Sequence, residues 1–222
     1  MLVFSKYNSI LPALVTLSIL GGFIGESNPP AGLSPYSSAY AKFEEKVFQR
    51  VEEKRRVKLE LYEKRVKANI LKIMSGYKTG LDDDDFNKLP DWIYAQSQRY
   101  GYDPLFLTAL IQTESSFNNW ARSHRGALGL MQIRPATGHA MANETRIKWV
   151  GKPTLYDPGA NIALGAYYLN KMVLKFGDLQ LALEAYNRGP ASLARHLKKG
   201  NRPSRYSDKV LEHYKNNKLR TI

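Results

Sequence analysis

Two Asp-Pro pairs, Asp103-Pro104 and Asp157-Pro158, constrain the fold of this chain more than any other feature. In each, the aspartate can cap a helix while the proline takes the first helical position, where its missing N–H costs nothing. Each pair opens an apolar run at helical spacing. After Pro104 the face is Leu107, Leu110 and Ile111; after Pro158 it is Ile162, Ala166, Leu169, Met172, Val173 and Phe176, and Gly177 supplies the stop. A helix over 89–99 closes in the same way at Gly101. Leu179, Leu183 and Tyr186 share the face of a further helix ended by Asn187, Gly189 and Pro190. Two more are expected over 191–199 and 207–218, with Tyr206, Val210 and Tyr214 on one side of the second. Within 123–134, ALGLMQI is expected to form a short helix, glycines 126 and 129 permitting close backbone approach, and Pro135 starts the next segment. Strand alternation is lacking. The fold class is therefore all-α, a helical domain of roughly 130 residues with room for a cleft between helices.

The residue at i+3 and i+4 from Leu110 and Ile111 is Glu114. Periodicity allows two readings of it. In one it continues the buried stripe, and desolvation raises its pKa toward the value a general acid needs near neutral pH. In the other it ends the helix at the rim with its carboxylate in water.

Composition narrows the chemistry. The chain has no cysteine, which excludes disulfides, thiol catalysis, thiolate zinc sites and a cysteine-lipidated terminus. The four histidines, 124, 139, 196 and 213, fall into no metal-ligand spacing, so neither a metal nor another cofactor is expected. The formal charge of +13 is uneven: 81–187 holds 10 basic and 11 acidic residues, whereas 188–222 holds 10 basic and 2 acidic. A basic segment attracts any polyanion, whether nucleic acid, anionic lipid or an acidic wall polymer, and does not choose among them.

Residues 1–26 read as a signal peptide or a membrane anchor, with Lys6 ahead of an uncharged run at 7–25. The reading implies export, with membrane association through 7–25 if the segment is retained. A Pro/Gly/Ser linker follows at 27–39. Residues 40–78 are dense in Glu, Lys and Arg, with Phe43, Val47, Val51, Leu59, Tyr62, Val66, Ile70 and Ile73 at helical spacing and Glu52/Arg56, Glu60/Lys64 and Glu63/Lys67 at i,i+4. This is a long charged amphipathic helical arm, with a break near Arg55 as an alternative. It packs on the domain or acts as a spacer. The heptad register fails over 54–58, against a coiled coil. The run Asp82 to Asp85 lacks calcium-loop spacing and suits the start of a helix.

Around Glu114 the chain places Ser115, Ser116, Asn118, Asn119, Ser123, Met131 and Gln132, and later Tyr186, Asn187 and Tyr206. Hydroxyls, amides and aromatic faces about one acid suit a neutral sugar, whose rings stack on aromatics and hydrogen-bond round their edges. A glycosidase normally uses two carboxylates. Asp157 is better explained as a helix cap, and Asp178 and Glu184 sit in helix-start or solvent-facing contexts, so no second acid stands out. Ser123 beside His124 makes no nucleophile-and-base pair, because adjacent side chains seldom face each other.

Four ordered motifs then carry a resemblance. Glu114-Ser-Ser-Phe-Asn, the GALGLMQ stretch from Gly126 to Gln132 after Ser123, Asp157-Pro158 with Asn161, Gly165 and Tyr168, and Ala185-Tyr186-Asn187-Arg188-Gly189-Pro190, followed by Tyr206, resemble the SLT-type lytic transglycosylases of bacterial cell-wall metabolism. The resemblance implies a lysozyme-like domain over 82–216, followed by a basic tail at 217–222. It implies cleavage of peptidoglycan between N-acetylmuramic acid and N-acetylglucosamine to leave a 1,6-anhydro end. Glu114 corresponds to the family's single catalytic glutamate, acid then base. Ser123, Met131, Gln132, Tyr186, Asn187 and Tyr206 correspond to positions at or beside the glycan cleft. For Met131 and Tyr186 plain core packing competes with that role, and for Ser123 and Asn187 loop or helix capping does.

Two departures stand out. Asn119 replaces a frequent proline, and Arg188 replaces a small residue, which would bring a positive charge near the peptide stems or the muramoyl lactyl carboxylate. The partners implied are peptidoglycan glycan strands and, with them, envelope machinery; no specific nucleic acid is implied, and oligomeric state is open. Location is the periplasm or cell envelope, soluble after signal cleavage or anchored to the inner membrane. Rival readings are a muramidase that hydrolyses the same bond and a catalytically idle peptidoglycan-binding or scaffold protein.

Overall fold

The computed structural model of the protein describes residues 38–219. The uncharged run at 7–25, the signal or anchor at 1–26, nearly all of the linker at 27–39 and residues 220–222 lie outside the described residues. Of those described, 38–65 belong to one compact unit and 66–219 to another.

The first unit consists of the greater part of α1 (Ser38–Met74), a 37-residue helix that runs through Arg55 without a break. Arg56 pairs with Glu53 at 2.7 Å and approaches Glu60 at 3.9 Å, while Glu52 meets Arg55 at 3.6 Å instead of the expected Arg56. Such exposed pairs contribute only a few tenths of a kcal/mol each, roughly. Phe48, Val51, Val57 and Leu61 lie exposed along this stretch. Among the described residues no helix is long and apolar enough to cross a membrane.

In the second unit the last turns of α1 bury Val66, Ile70, Ile73 and Met74, and Lys67 pairs with Asp91 at 2.7 Å. α2 (Asp83–Tyr100) starts at the acidic run read as a helix start, six residues ahead of the apolar stretch that begins at Leu89. Asp82 accepts the Asp85 N–H at 2.8 Å and Asp83, Asp84 and Asp85 fill the first turn, so the acidic run opens the helix, where carboxylates favour the positive end. Gly101 closes it at φ 71°.

α3 (Pro104–Ser115) is the centre of the unit: every residue from Pro104 to Gln112 is buried, and the helix packs on α2 and on α8 (Arg205–Leu219). Its cap is the one expected, Asp103 accepting the Leu105 N–H at 2.9 Å. Burial of Leu107, Leu110, Ile111 and Phe106 contributes roughly 1.5–3 kcal/mol each. After α4 (Pro135–Thr145) and a short 3-10 helix (Lys152–Leu155), α5 (Pro158–Phe176) repeats the device, with Asp157 accepting the Ala160 N–H at 2.7 Å. α6 (Leu179–Arg188) is capped by Asp178 at 2.8 Å, and α7 (Pro190–Lys198) follows. α5 packs on α2 and α6, and α6 also packs on α7 and α8. The all-α, lysozyme-like class stands.

ALGLMQI is not a helix. Leu128 and Ile133 exchange backbone hydrogen bonds in both directions at 3.0 Å, and Gly126, Gly129 and Gln132 take φ of 76°, 76° and 50°. Left-handed residues cannot sit inside a right-handed helix, so the apolar spacing here serves a folded loop. At Gly129 a Cβ would lie 2.2 Å from the Leu155 carbonyl oxygen, so no other residue fits. The loop is tied down by buried Asn161 of α5. Its Oδ1 accepts the Met131 N–H at 2.7 Å, and its Nδ2 donates to the Leu128 and Leu155 carbonyls at 3.1 and 2.8 Å.

Candidate active site

A cavity of about 400 Å³ opens between the end of α3, the loop after Ala121, α5 and the α6–α7 corner. Glu114, on the last turn of α3, is part of its lining and is itself half-buried. Burial pushes its carboxyl up to about 7, against the opposing pull of the Tyr206 hydroxyl and the Lys209 ammonium. Of the two readings open at Glu114, this geometry favours the desolvated acid.

Tyr206, on the first turn of α8, donates its hydroxyl to Glu114 Oε1. Its own ionisation is pushed well above the ordinary phenol value, first by burial and then by the charge of Glu114, so the phenol remains a donor. The Tyr186 hydroxyl is shifted the same way, again by burial first. It donates to the Met131 carbonyl at 2.8 Å, and its ring lies 5.2 Å from that of Tyr168.

The remaining sequence candidates divide. Ser123 lines the cavity, and its hydroxyl oxygen also accepts the Ala127 N–H at 3.0 Å, the loop-capping role weighed against binding. Gln132 lines it too, with Nε2 donating to the Ala121 and Gly129 carbonyls at 3.1 and 3.0 Å. Asn187 is exposed on the wall at the end of α6. Met131 shows the packing weighed against a binding role: fully buried, it fills the space left by Gly165, where a Cβ would meet its sulfur at 2.5 Å, and it forms no part of the cavity lining. Tyr206 touches Glu114 from behind without forming part of that lining.

Glu184 is a correction. It is not solvent-facing but fully buried, accepting the Tyr206 and Ser207 N–H groups at 2.8 and 3.0 Å on Oε1 and Arg188 Nη2 at 2.6 Å on Oε2. Arg188 lines the cavity as its position suggested, yet its charge is largely offset by Glu184. Asp157 and Asp178 are helix caps, as expected. Sequence reasoning left out Tyr168, which stood in a motif but was read only as part of a helix, and the stretch of lining made by His124, Arg125 and Arg134. Among the described residues no three His, Asp or Glu side chains are grouped to hold a metal ion, and Glu114 is the one acid that lines the cavity.

This arrangement offers a protonated carboxylic acid near neutral pH, amide and hydroxyl groups on either side, and aromatic faces on one wall. Comparison with known proteins gives it a family. The family model of the transglycosylase SLT domain matches residues 91–208. A transglycosylase of Enterobacteria phage PRD1 is 40% identical over 97 residues, covering 44% of this chain and 33% of the phage protein. The membrane-bound lytic murein transglycosylase C of Edwardsiella ictaluri is 37% identical over 120 residues, 49% of this chain and 33% of that protein. The chain thus spans about a third of the length of either relative. Among solved structures, an inactive glutamate-to-glutamine mutant of the lytic transglycosylase Slt from Pseudomonas aeruginosa aligns with a TM-score of 0.53 at 27% identity, over 63% of this chain and 26% of that one. With over half its length matched by the family model, the chain belongs to the transglycosylase SLT domain family.

Proposed function

We propose that the protein is a peptidoglycan lytic transglycosylase that cleaves the β-1,4 bond between N-acetylmuramic acid and N-acetylglucosamine without water. The observation that carries this reading is a single acid on the cavity, Glu114, held protonated to about pH 7 by desolvation. Glu114 protonates the glycosidic oxygen as the bond to muramoyl C1 breaks. The same carboxylate, now a base, takes the proton of the muramoyl 6-hydroxyl as that oxygen bonds to C1. The donated proton leaves on the new 4-hydroxyl of the departing sugar, the 6-hydroxyl proton restores the acid form of Glu114, and a 1,6-anhydro end is left. One carboxylate suffices because nucleophile and leaving group are handled in sequence.

Ser123, Gln132 and Asn187 hydrogen-bond the glycan from the cavity wall, and the Tyr168 and Tyr186 rings offer it apolar faces. Tyr206 orients Glu114, and Met131 shapes the wall from inside. The relatives' names, a murein transglycosylase among them, support the substrate class, and the inactive glutamate-to-glutamine form of the solved relative supports an essential glutamate. The domain at 82–216 would act in the periplasm or cell envelope, where its proposed substrate lies. Residues 1–26 serve as a signal peptide or inner-membrane anchor, 27–39 as a linker, 40–78 as the charged arm and 217–222 as a basic tail.

The test is product analysis on purified sacculi. Glu114→Gln keeps the shape but can neither supply nor accept the proton, so turnover falls by about a thousandfold. Mass spectrometry of the native protein's products should show anhydro ends. Ends one water heavier would mean hydrolysis of the same bond, and binding to sacculi with no products would mean a scaffold.

A further inference from the structure

We propose that Glu184 is a positioning residue for this reaction: by holding the first turn of α8 it sets where the Tyr206 hydroxyl meets Glu114. The inference rests on Glu114 being the acid.

Glu184 lies on α6, has no exposed surface and forms no part of the cavity lining, so it cannot touch a glycan bound there. Its contacts lead elsewhere. Oε1 accepts two hydrogen bonds from α8, the Tyr206 N–H at 2.8 Å and the Ser207 N–H at 3.0 Å. These belong to the second and third residues of that helix, donors that have no partner within any helix, and the positive end of α8 favours a carboxylate there. Oε2 accepts Arg188 Nη2 at 2.6 Å, one turn along α6, which balances the buried charge. Tyr206 is thereby fixed at both ends: its backbone N–H on Glu184 and its hydroxyl on Glu114. A shift of the α8 first turn away from α6 would withdraw the phenol from the acid.

The arrangement also accounts for Arg188. A cation at this point of the cavity wall suits an anionic part of the substrate, but its guanidinium is engaged by the carboxylate behind it. The pair forms one device, in which Arg188 offsets the charge that Glu184 needs to grip α8. The consequence falls on protonation. The groups whose charge or hydroxyl acts on Glu114 are Tyr206 and Lys209 of α8 and Tyr186 of α6, with His124, Arg125, Arg134 and Arg188 around the same cavity. The Tyr206 hydrogen bond is the main force holding the Glu114 midpoint down. Loosening it raises that midpoint and makes Glu114 a weaker proton donor to the glycosidic oxygen.

Glu184→Gln tests this. The glutamine oxygen can still accept from α8, but its amide nitrogen then faces Arg188 donor to donor, so one bond of the three is lost. The Glu114 midpoint is read by carbon-13 NMR of the side-chain carboxyl in the full chain, and kcat and KM on sacculi-derived glycan are read alongside. We expect the midpoint to rise by about half a unit to one unit and kcat to fall about 5- to 20-fold with KM changed less than about twofold. Tyr206→Phe should give the same signature, and Glu184→Gln with Tyr206→Phe no more than Tyr206→Phe alone. A lowered melting temperature with midpoint and kcat unchanged would overturn the proposal, as would additive effects in the double variant. Should Glu184→Gln fail to fold, Glu184→Asp keeps the charge but shortens the reach; a smaller shift of the same sign supports the proposal, and none overturns it. Full activity in Glu114→Gln would instead remove Glu114 as the acid, and because the NMR midpoint does not need turnover, the two failures are told apart.

Discussion

At the cavity the last turn of α3 brings Glu114 against the Tyr206 phenol; behind the lining, the junction of α6 and α8 surrounds Glu184 with two backbone N–H groups and a guanidinium. Both carboxylates are withdrawn from bulk water, and Glu184 the more completely. Burial therefore does not by itself mark the acid proposed to react. The difference lies in hydrogen-bond donors: among the described residues three are gathered on the carboxylate that does not line the cavity, and the carboxylate on the cavity has one, with the Lys209 ammonium acting on it by charge alone. The same tyrosine connects them, so the well-satisfied carboxylate holds in place the hydrogen-bond partner of the poorly satisfied one.

The contrast can be broken from either side. Glu184→Ala strips two helix-start donors of their acceptor and leaves Arg188 without its carboxylate, and chemical denaturation should register a loss of about 3–4 kcal/mol. A loss within the scatter of surface substitutions would mean the junction is not the anchor described. Glu114→Gln should act in the opposite direction. The folded-state pKa of Glu114 is raised, so folded and unfolded chains are both protonated below about 4.5, and as pH rises toward about 7 the unfolded chain releases its proton first. Stability from this group is thus lost through that window, and glutamine avoids the loss. The variant should be about 2–3 kcal/mol more stable than the native chain at pH 8, with no gain at pH 4. A constant difference across pH would place the carboxylate in water after all. Smallest in free energy is the rate profile: kcat/KM should fall about tenfold per pH unit above about 7, as the acid form is depleted. A limb centred near 4.5 would remove the desolvation from the account.

How much of this could be read in the chain depended on whether the cause was local. Asp103 and Asp157 cap their helices through an N–H two or three residues ahead, and Gly101 and Gly177 end theirs in one residue, so these boundaries were legible. Glu114 was visible as an acid on an apolar stripe, and the ordered motifs gave it a family. The stretch at 127–133 misled because its apolar spacing is helical while its backbone is set by left-handed residues and by Asn161, some thirty positions away. Glu184 misled for a related reason. Its partners across the α6–α8 junction are backbone N–H groups 22 and 23 residues later, and a backbone amide has no signature in a sequence. Met131 carries the matching letter of its motif, yet only the absence of a side chain at Gly165 shows which way it turns.

Asn161 gives the loop a property of time as well as shape. The Met131 N–H belongs to no helix and to no paired strand, and its acceptor is one buried side-chain oxygen at 2.7 Å. Exchange of that proton with solvent requires the amide of Asn161 to let go of the Leu128 and Leu155 carbonyls together with it, so opening is cooperative across three separate stretches. In a hydrogen-exchange experiment the Met131 amide should persist as long as the amides at the centre of α3. The wall of the cavity would then be a slow-moving surface, and its lifetime would be that of the fold itself.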